Sequence, residues 1–231
     1  MSRPTLFLFS FIFISAAAVV ALLLDVPSAF ALLKPLILPA LMAYYVAMAE
    51  KRMNLFVAAL FFCWLGDVLL IFQPSDEIFF LLGLVAFLIG HLLYIAAYRK
   101  LQLQQVTDAL LRLQRIRWSF PVLLAGTGLV AILFPTLGSM KIPVLIYAIV
   151  LMGMVVAAIF RWGRTNEKSF WWLLAGAVLF MISDSLLALN KFYSPFPWSG
   201  VAVMSTYIMG QYGIVRGALL HSEKPVSTQT P

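Results

Sequence analysis

Long apolar runs dominate the chain, and short polar or charged segments separate each run from the next. A helix needs about 20 mostly apolar residues to cross a hydrocarbon core of about 30 Å. The runs therefore predict eight membrane-spanning helices, of which the second is short. They cover residues 5–24, 36–49, 55–72, 78–98, 118–134, 142–160, 170–189 and 201–219. The predicted fold class is all-α, a polytopic membrane protein.

The pattern predicts a single domain over residues 1–221. The only long connection, residues 99–117, carries Leu103, Val106, Leu110 and Leu113 at helical spacing and ends in basic residues. It predicts an amphipathic helix that lies either on the cytoplasmic membrane surface or over the bundle. Residues 222–231 are polar and predict a disordered cytoplasmic tail.

Composition strengthens the membrane interpretation. The 231 residues are 63% hydrophobic and 11% charged, whereas soluble domains average roughly 45–50% and 25%. A chain of this length cannot bury so much apolar surface in one water-soluble core. We therefore exclude a soluble enzyme and a disordered chain, and the single cysteine excludes a disulfide scaffold.

The net charge of +7 is better explained by membrane topology than by a nucleic-acid partner, which we do not expect. Three basic residues fall on the side opposite the termini, namely Lys34, Lys141 and Lys191. Twelve fall on the side of the termini: Arg3, Lys51, Arg52, Arg99, Lys100, Arg112, Arg115, Arg117, Arg161, Arg164, Lys168 and Lys224. The positive-inside rule then predicts that both termini are cytoplasmic, in what we expect to be a bacterial inner membrane.

The third and seventh runs contain a similar motif. Residues 65–70 read Leu-Gly-Asp-Val-Leu-Leu and residues 182–187 read Ile-Ser-Asp-Ser-Leu-Leu, 117 positions apart. Gly90-His91 and Gly210-Gln211 extend the likeness into the next run of each half, 120 positions apart. The pattern favours a parallel 4+4 internal repeat, although short apolar motifs also match by chance. In such a repeat the two aspartates would lie at the same depth.

Ionisable groups are rare inside membranes because each costs roughly 2.5–3.5 kcal/mol to bury there, so they usually face a cavity or a partner. The chain has Asp67, His91 and Asp184 in its predicted spans, with Lys34 near the outer end of the second. Each aspartate lies five residues before the outer end of its span, roughly 7–8 Å deep at 1.5 Å per residue. We expect a shared site that opens outward, the alternative being that the aspartates only brace neighbouring helices.

Paired carboxylates in a poorly solvated pocket suit acid–base hydrolysis, with one protonated and the other ionised. Other polar residues are candidates for substrate binding or for support of the aspartates: Lys34, His91, Tyr94, Tyr147, Ser183, Asn190, Tyr207 and Gln211. No metal-binding motif, phosphate-binding loop or dinucleotide fingerprint is present in the sequence. We therefore expect neither a metal nor an organic cofactor.

Taken in order, the motifs resemble the YhhN family of membrane proteins, which includes the lysoplasmalogenases. They are Lys34-Pro35-Leu36, Gly66-Asp67-x-Leu-Leu, Gly90-His91-x-x-Tyr94, Tyr147 with Met152 or Met154, Ser183-Asp184-x-Leu-Leu-Ala188 and Tyr207-x-x-x-Gln211. No single motif is specific, but the series is. The fifth predicted span contributes nothing to the likeness.

The resemblance implies hydrolysis of the vinyl ether bond of lysoplasmalogens to a fatty aldehyde and glycerophosphoethanolamine or glycerophosphocholine. It transfers the catalytic role to Asp67 and Asp184, and it implies a lysophospholipid substrate taken from the bilayer. Lys34 would either meet the phosphate or keep one aspartate ionised. The alternatives are a proton-coupled transporter of a lipid or small solute that uses the same carboxylates and a non-catalytic lipid-sensing protein. The sequence does not predict the oligomeric state.

Overall fold

The computed structural model describes residues 2–103 and 110–221. Within these ranges the chain forms eight α-helices and no strand, which confirms the all-α prediction. A 3₁₀ turn at Gly138–Met140 precedes the sixth helix, and a π-helical turn at Leu189–Tyr193 extends the seventh. The helices are α1 Arg3–Leu23, α2 Pro27–Met48, α3 Asn54–Ile71, α4 Glu77–Lys100, α5 Arg112–Leu133, α6 Lys141–Ile159, α7 Glu167–Ala188 and α8 Ser199–Leu219.

Seven of the helices in the described ranges are long and apolar enough to cross a membrane. This number of apolar helices supports an integral membrane protein. The exception is α8, whose interior carries polar side chains that lower its mean hydropathy. Two of them, Tyr207 and Gln211, are buried inside the bundle, where they make hydrogen bonds with other side chains.

The start of α2 differs most from the prediction. The apolar runs predicted a short second span that begins at residue 36, but α2 begins at Pro27 and continues through Pro35 and Pro39. Pro39 has no N–H to pair with the Pro35 carbonyl one turn earlier, and the Trp64 indole nitrogen of α3 donates to that carbonyl at 2.9 Å. Because α2 starts earlier, Lys34 lies inside the helix and not at its end.

The connection between α4 and α5 is shorter than predicted. The basic pair Arg99 and Lys100 belongs to the last turn of α4, and α5 begins at Arg112, six residues before the predicted span. Residues 104–109, the middle of the amphipathic helix predicted over 99–117, lie outside the described residues. The predicted tail at 222–231 also lies outside them.

Consecutive helices contact one another as antiparallel neighbours, apart from α4 and α5. Further contacts of α4 with α6, and of α2 with α8, close the bundle. Both ends of the described chain therefore lie at one end of the bundle, which we call the terminal end. The connections 24–26, 72–76, 134–140 and 189–198 lie at the other, which we call the cavity end.

The α3–α4 and α7–α8 pairs pack through equivalent glycines. A methyl group at Gly90 of α4 would lie 3.3 Å from the Ala59 carbonyl oxygen of α3. A methyl group at Gly210 of α8 would lie 3.1 Å from the Gly176 carbonyl oxygen of α7. Ala59 and Gly176 are 117 positions apart, the spacing of the two aspartates, so the two pairs pack in the same register.

A buried arginine closes the terminal end. Arg161 donates to the Leu101 carbonyl at 3.0 Å and to the Ser169 hydroxyl at 2.8 Å, and Ser169 donates to the Gly217 carbonyl at 2.6 Å. Burial lowers the pKa of Arg161 to about 10, so the guanidinium stays charged at neutral pH. This residue, which the sequence assigned only to topology, joins α4, α6, α7 and α8.

Candidate active site

A single cavity at the cavity end holds both aspartates. It encloses about 1040 Å³, including space open to the surroundings, and every helix except α1 contributes to its wall. Of the ten site residues predicted from the sequence, six line it: Lys34, Asp67, Tyr147, Ser183, Asp184 and Tyr207. Asp67 and Asp184 thus line one and the same cavity.

Asp67 is engaged at both carboxylate oxygens. Lys34 of α2 lies 3.5 Å from Asp67 Oδ1, and the Tyr207 hydroxyl of α8 donates to Oδ2 at 2.5 Å. Only 5% of the Asp67 side chain and 10% of the Lys34 side chain is exposed. A buried carboxylate held by an ammonium and a hydroxyl is stabilised as the anion.

Asp184 has fewer partners. The Tyr147 hydroxyl of α6 donates to Asp184 Oδ2. Among the described residues no cation lies within ion-pair distance of Asp184, and no second donor reaches it. The residue is half-buried and lines the cavity, so its Oδ1 is available to a ligand.

A hydrogen-bonded chain behind the cavity positions Tyr207. The Tyr94 hydroxyl donates to Gln211 Oε1 at 2.8 Å, and Gln211 Nε2 donates to the Tyr207 hydroxyl at 3.4 Å. Tyr94 and Gln211 are fully buried and do not line the cavity. They therefore support the Asp67 site without contacting a ligand in it.

His91 lies below the cavity, among aromatic rings. Its ring centroid is 4.8 Å from that of Phe180 and 5.3 Å from that of Tyr147. Neither ring nitrogen has a hydrogen-bond partner within the described part of the chain, and the side chain is fully buried. His91 is not among the residues that line the cavity.

Ser183 and Asn190 act on the backbone of α8 and the loop before it. The Ser183 hydroxyl donates to the Val203 carbonyl at 2.9 Å and ties α7 to α8 beside Asp184. Asn190 lies in the π-helical turn, and its Oδ1 accepts from the Phe196 N–H at 3.2 Å. Asn190 does not line the cavity, so its role in this structure is to shape the loop at the cavity end.

The apolar residues that α5 and α6 contribute to the cavity wall were not predicted as site residues from the sequence. These two helices supply eight such apolar residues to the wall, although α5 carries no motif. A methyl group at Gly126 of α5 would collide with the Met152 side chain of α6, so this glycine permits their close contact. The eight residues are Gly126, Leu129, Val130, Leu133, Val144, Ala148, Leu151 and Met152, and ten further apolar residues from the other helices and the π-helical turn complete the wall. No polar signal distinguishes these residues from lipid-facing ones, which is why the sequence did not reveal them.

The donor set gives no indication of a metal site. Among residues 2–103 and 110–221, no group of three or more His, Cys, Asp or Glu side chains is arranged to hold a metal ion. The polar part of the cavity instead offers two carboxylates, one ammonium, two phenolic hydroxyls and two serine side chains. These groups can transfer protons and stabilise a cation.

Comparison with known proteins matches the family that the motifs resemble. A family model described as the YhhN family matches residues 29–218. Lysoplasmalogenase TMEM86A of Bos taurus is 32% identical over 177 residues, which cover 72% of this chain and 65% of that protein. TMEM86A of Homo sapiens is 33% identical over 174 residues, again 72% and 65%.

A bacterial relative gives the same result. Lysoplasmalogenase of Mycobacterium tuberculosis (strain CDC 1551 / Oshkosh) is 28% identical over 178 residues, 73% of this chain and 65% of that protein. The chain thus spans slightly less than two thirds of the length of these curated relatives. No solved structure matches the chain at a significant level.

Proposed function

The chain belongs to the YhhN family, and on that premise we propose that it is a membrane-embedded hydrolase of the vinyl ether bond of lysoplasmalogens. The products are a fatty aldehyde and glycerophosphoethanolamine or glycerophosphocholine. One observation carries the proposal: Asp67 and Asp184 line the same largely apolar cavity with different partners. The relatives named lysoplasmalogenase support the substrate class.

Asp184 is the general acid in this proposal. Its Oδ2 accepts from Tyr147, and no cation within the described ranges holds the side chain as an anion. A carboxyl group in a mostly apolar cavity without a cationic partner favours its neutral form. The proton on Oδ1 can then be transferred to a substrate in the cavity.

Asp67 is the general base. Lys34 and Tyr207 stabilise it as a carboxylate, and an anion beside the reacting carbon stabilises a developing cation. Of the two roles expected for Lys34, the ion pair supports keeping an aspartate ionised, because an ammonium engaged by Asp67 is less available to a phosphate. Glycosidases divide the work of two carboxyl groups in a similar way.

The reaction then balances in two steps. Asp184 protonates the β-carbon of the vinyl ether, which gives an oxocarbenium ion and leaves Asp184 ionised. Water adds to the cationic carbon while Asp67 takes its proton, and a hemiacetal forms. In the second step Asp67 returns a proton to the glycerol oxygen as the carbon–oxygen bond breaks, and Asp184 accepts the hemiacetal hydroxyl proton as the aldehyde forms. Both carboxyl groups return to their starting states.

The apolar wall supplies the site for the hydrocarbon chain. Burying a CH₂ group is worth about 0.8 kcal/mol, so a wall built from α5 and α6 favours a long alkenyl chain over a short one. α5 contacts α6 and the π-helical turn, and it packs less extensively than the other helices around the cavity. A lipid can therefore reach the aspartates from the bilayer at the side of α5.

The membrane arrangement belongs to the same proposal. We infer eight spans in a single domain, with both termini in the cytoplasm and the cavity end facing outward, from the excess of basic residues at the terminal end. A parallel repeat of α1–α4 and α5–α8 is supported by the equivalent packing of Gly90 and Gly210. A bacterial inner membrane remains our expected location.

The test is aldehyde release by the purified protein in detergent. We expect aldehyde from a 1-alkenyl lysophospholipid and none from the matched 1-acyl or 1-O-alkyl lipid, because neither of these contains a vinyl ether. Activity unchanged by chelators accords with the acid–base mechanism. Substrate-driven proton movement into liposomes without aldehyde release would contradict the hydrolase and favour the proton-coupled transporter.

A further inference from the structure

The phosphate of a lysolipid has no free partner deep in the cavity. Lys34 is the only cationic side chain among the described residues that line the wall, and it is paired with Asp67. The headgroup of a membrane lipid lies at the interface, above the buried aspartates. A cation that recognises the phosphate is therefore expected at the rim of the cavity and not at its base.

Lys191 occupies this rim. It lies in the π-helical turn that extends α7, and its ammonium is 4.3 Å from the ring centroid of Phe80 and 5.8 Å from that of Phe192. Both phenylalanines line the cavity, and their ring centroids are 5.6 Å apart. The cation is thus held against two aromatic residues of the cavity wall.

The charge of Lys191 is not neutralised by the protein. The side chain is half-buried, and within residues 2–103 and 110–221 no carboxylate lies within 4 Å of its ammonium. Packing on aromatic rings fixes the lysine stem but leaves its N–H donors free for an anion. A positioned and unpaired ammonium of this kind suits a phosphate.

The spacing between Asp184 and Lys191 along the helix also fits the substrate. Lys191 follows Asp184 by seven residues, roughly 10 Å along the helix axis at 1.5 Å per residue. In a lysoplasmalogen the three-carbon glycerol unit separates the vinyl ether from the phosphate. With the ether at the aspartates and the chain along the α5–α6 wall, the phosphate points toward the rim.

We propose that Lys191, held by Phe80 and Phe192, binds the headgroup phosphate of the lysolipid. This inference rests on the proposed function, since it assigns the headgroup end of the same substrate. The sequence analysis assigned Lys191 only to the outer set of charges. The structure adds its contact with two residues of the cavity wall.

The chain offers a matched control. Lys141 is another half-buried lysine at the cavity end, and its ammonium lies 5.0 Å from the ring centroid of Phe134. Phe134 does not line the cavity. Lys141→Gln therefore removes the same charge from a similar aromatic contact, and Lys191→Arg keeps the charge at the proposed site.

The experiment measures binding of uncleavable ligands by calorimetry in a detergent free of phosphate. The probes are a 1-O-alkyl lysophosphocholine and the matching 1-O-alkylglycerol, which has no phosphate. We expect Lys191→Gln to weaken binding of the first probe roughly 10- to 100-fold, the loss of one charge-assisted hydrogen bond, and to leave the second unchanged. Lys191→Arg and Lys141→Gln should bind both probes like the wild type.

Three outcomes would overturn the assignment. Lys191→Gln could bind the phosphate probe normally, Lys141→Gln could weaken it equally, or Lys191→Gln could weaken both probes alike. A diacyl phospholipid added as a competitor separates the two sources of phosphate. If it displaces the lysolipid probe at equal concentration, the rim binds bilayer headgroups in general and not the substrate.

Because no turnover is needed, failure of this proposal is distinguishable from failure of the hydrolase. If Lys191→Gln loses binding of the phosphate probe only, and no aldehyde is released by the wild type, the rim site stands and the hydrolase activity is rejected. Where aldehyde is released, Lys191→Gln should raise KM for the alkenyl lysolipid by a larger factor than it lowers kcat. A fall in kcat at unchanged KM would overturn a headgroup role.

Discussion

The α3–α4 and α7–α8 helix pairs pack their glycines in the same register and each carry an aspartate at the same relative position. They differ in what surrounds that aspartate. Asp67 has an ammonium on one oxygen and a hydroxyl on the other, whereas Asp184 has a single hydroxyl. Similar backbones thus place two carboxyl groups of different electrostatic character in one cavity.

The difference arises in the neighbouring helices. α2 supplies Lys34 and α8 supplies Tyr207 to the first aspartate, whereas in the described part of the chain only α6 supplies a partner, Tyr147, to the second. Two identical sites would leave both carboxyl groups competing for the same proton. Because their partners differ, one carboxyl group is held as the anion and the other keeps its proton, as a general base and a general acid require.

The largest effect is expected from removing either carboxylate. Asp67→Asn and Asp184→Asn should each lower kcat for aldehyde release roughly 100- to 10,000-fold, the range for a general acid or base. Asp25→Asn, at an exposed residue of the cavity end, should be unaffected. A folded Asp67 or Asp184 variant with wild-type turnover would remove that residue from the mechanism.

The ion pair can be broken separately. Lys34→Met should lower kcat roughly 10- to 100-fold and destabilise the protein, because it leaves a buried carboxylate without its cation. In an Asp67→Asn background Lys34→Met should lower kcat and Tm much less, because the carboxylate that Lys34 neutralises is absent. The measurement is a double-mutant cycle on kcat and on Tm in detergent. Equal effects of Lys34→Met in both backgrounds would show that Lys34 acts independently of Asp67.

The two tyrosines offer a finer comparison. Tyr147→Phe removes the only donor to Asp184 among the described residues. It should lower kcat about tenfold, because the hydroxyl stabilises the carboxylate that develops as Asp184 gives up its proton. Tyr207→Phe should cost less, because Lys34 still holds Asp67. Steady-state kinetics of both variants give the ratio of the two losses in kcat. A larger loss for Tyr207→Phe would reverse the proposed difference between the sites.

The smallest effects concern the shared packing. A methyl group at Gly210 would lie 2.9 Å from the Phe180 backbone nitrogen, whereas one at Gly90 would lie 2.9 Å from the Cys63 sulfur, a side-chain atom. Backbone moves less readily, so Gly210→Ala should destabilise by about 1–3 kcal/mol, as overpacking does, and Gly90→Ala by less. Thermal unfolding in detergent gives the order. A Tm lower for Gly90→Ala than for Gly210→Ala would contradict it.

The fold was predictable from the sequence wherever long apolar runs dominated it. The apolar runs located all eight helices but did not give the exact helix ends, because prolines and contacts with other helices also determine where a helix begins. Proline normally ends a helix, yet α2 continues through Pro39, and Trp64 of α3 satisfies the Pro35 carbonyl that Pro39 leaves free. Such a compensating contact comes from another helix, so it is not readable from α2 itself.

The site was predictable where burying a charged side chain in a membrane costs free energy. Asp67 and Asp184 were identified for that reason, and both line the cavity. The pairing of Lys34 with Asp67 alone was not predictable, because it depends on which helices are neighbours. The wall on α5 was missed for a different reason: Leu129 and its neighbours have the same residue types as lipid-facing positions.

The most direct test of the two-carboxylate mechanism is aldehyde release in D₂O, with mass analysis of the product. We expect one deuterium at the aldehyde's second carbon, a slower rate than in H₂O, and loss of release in folded Asp184→Asn. Aldehyde without deuterium at that carbon would show that the vinyl ether is not cleaved by protonation. Undiminished release by the Asp184 variant would contradict its role as the acid.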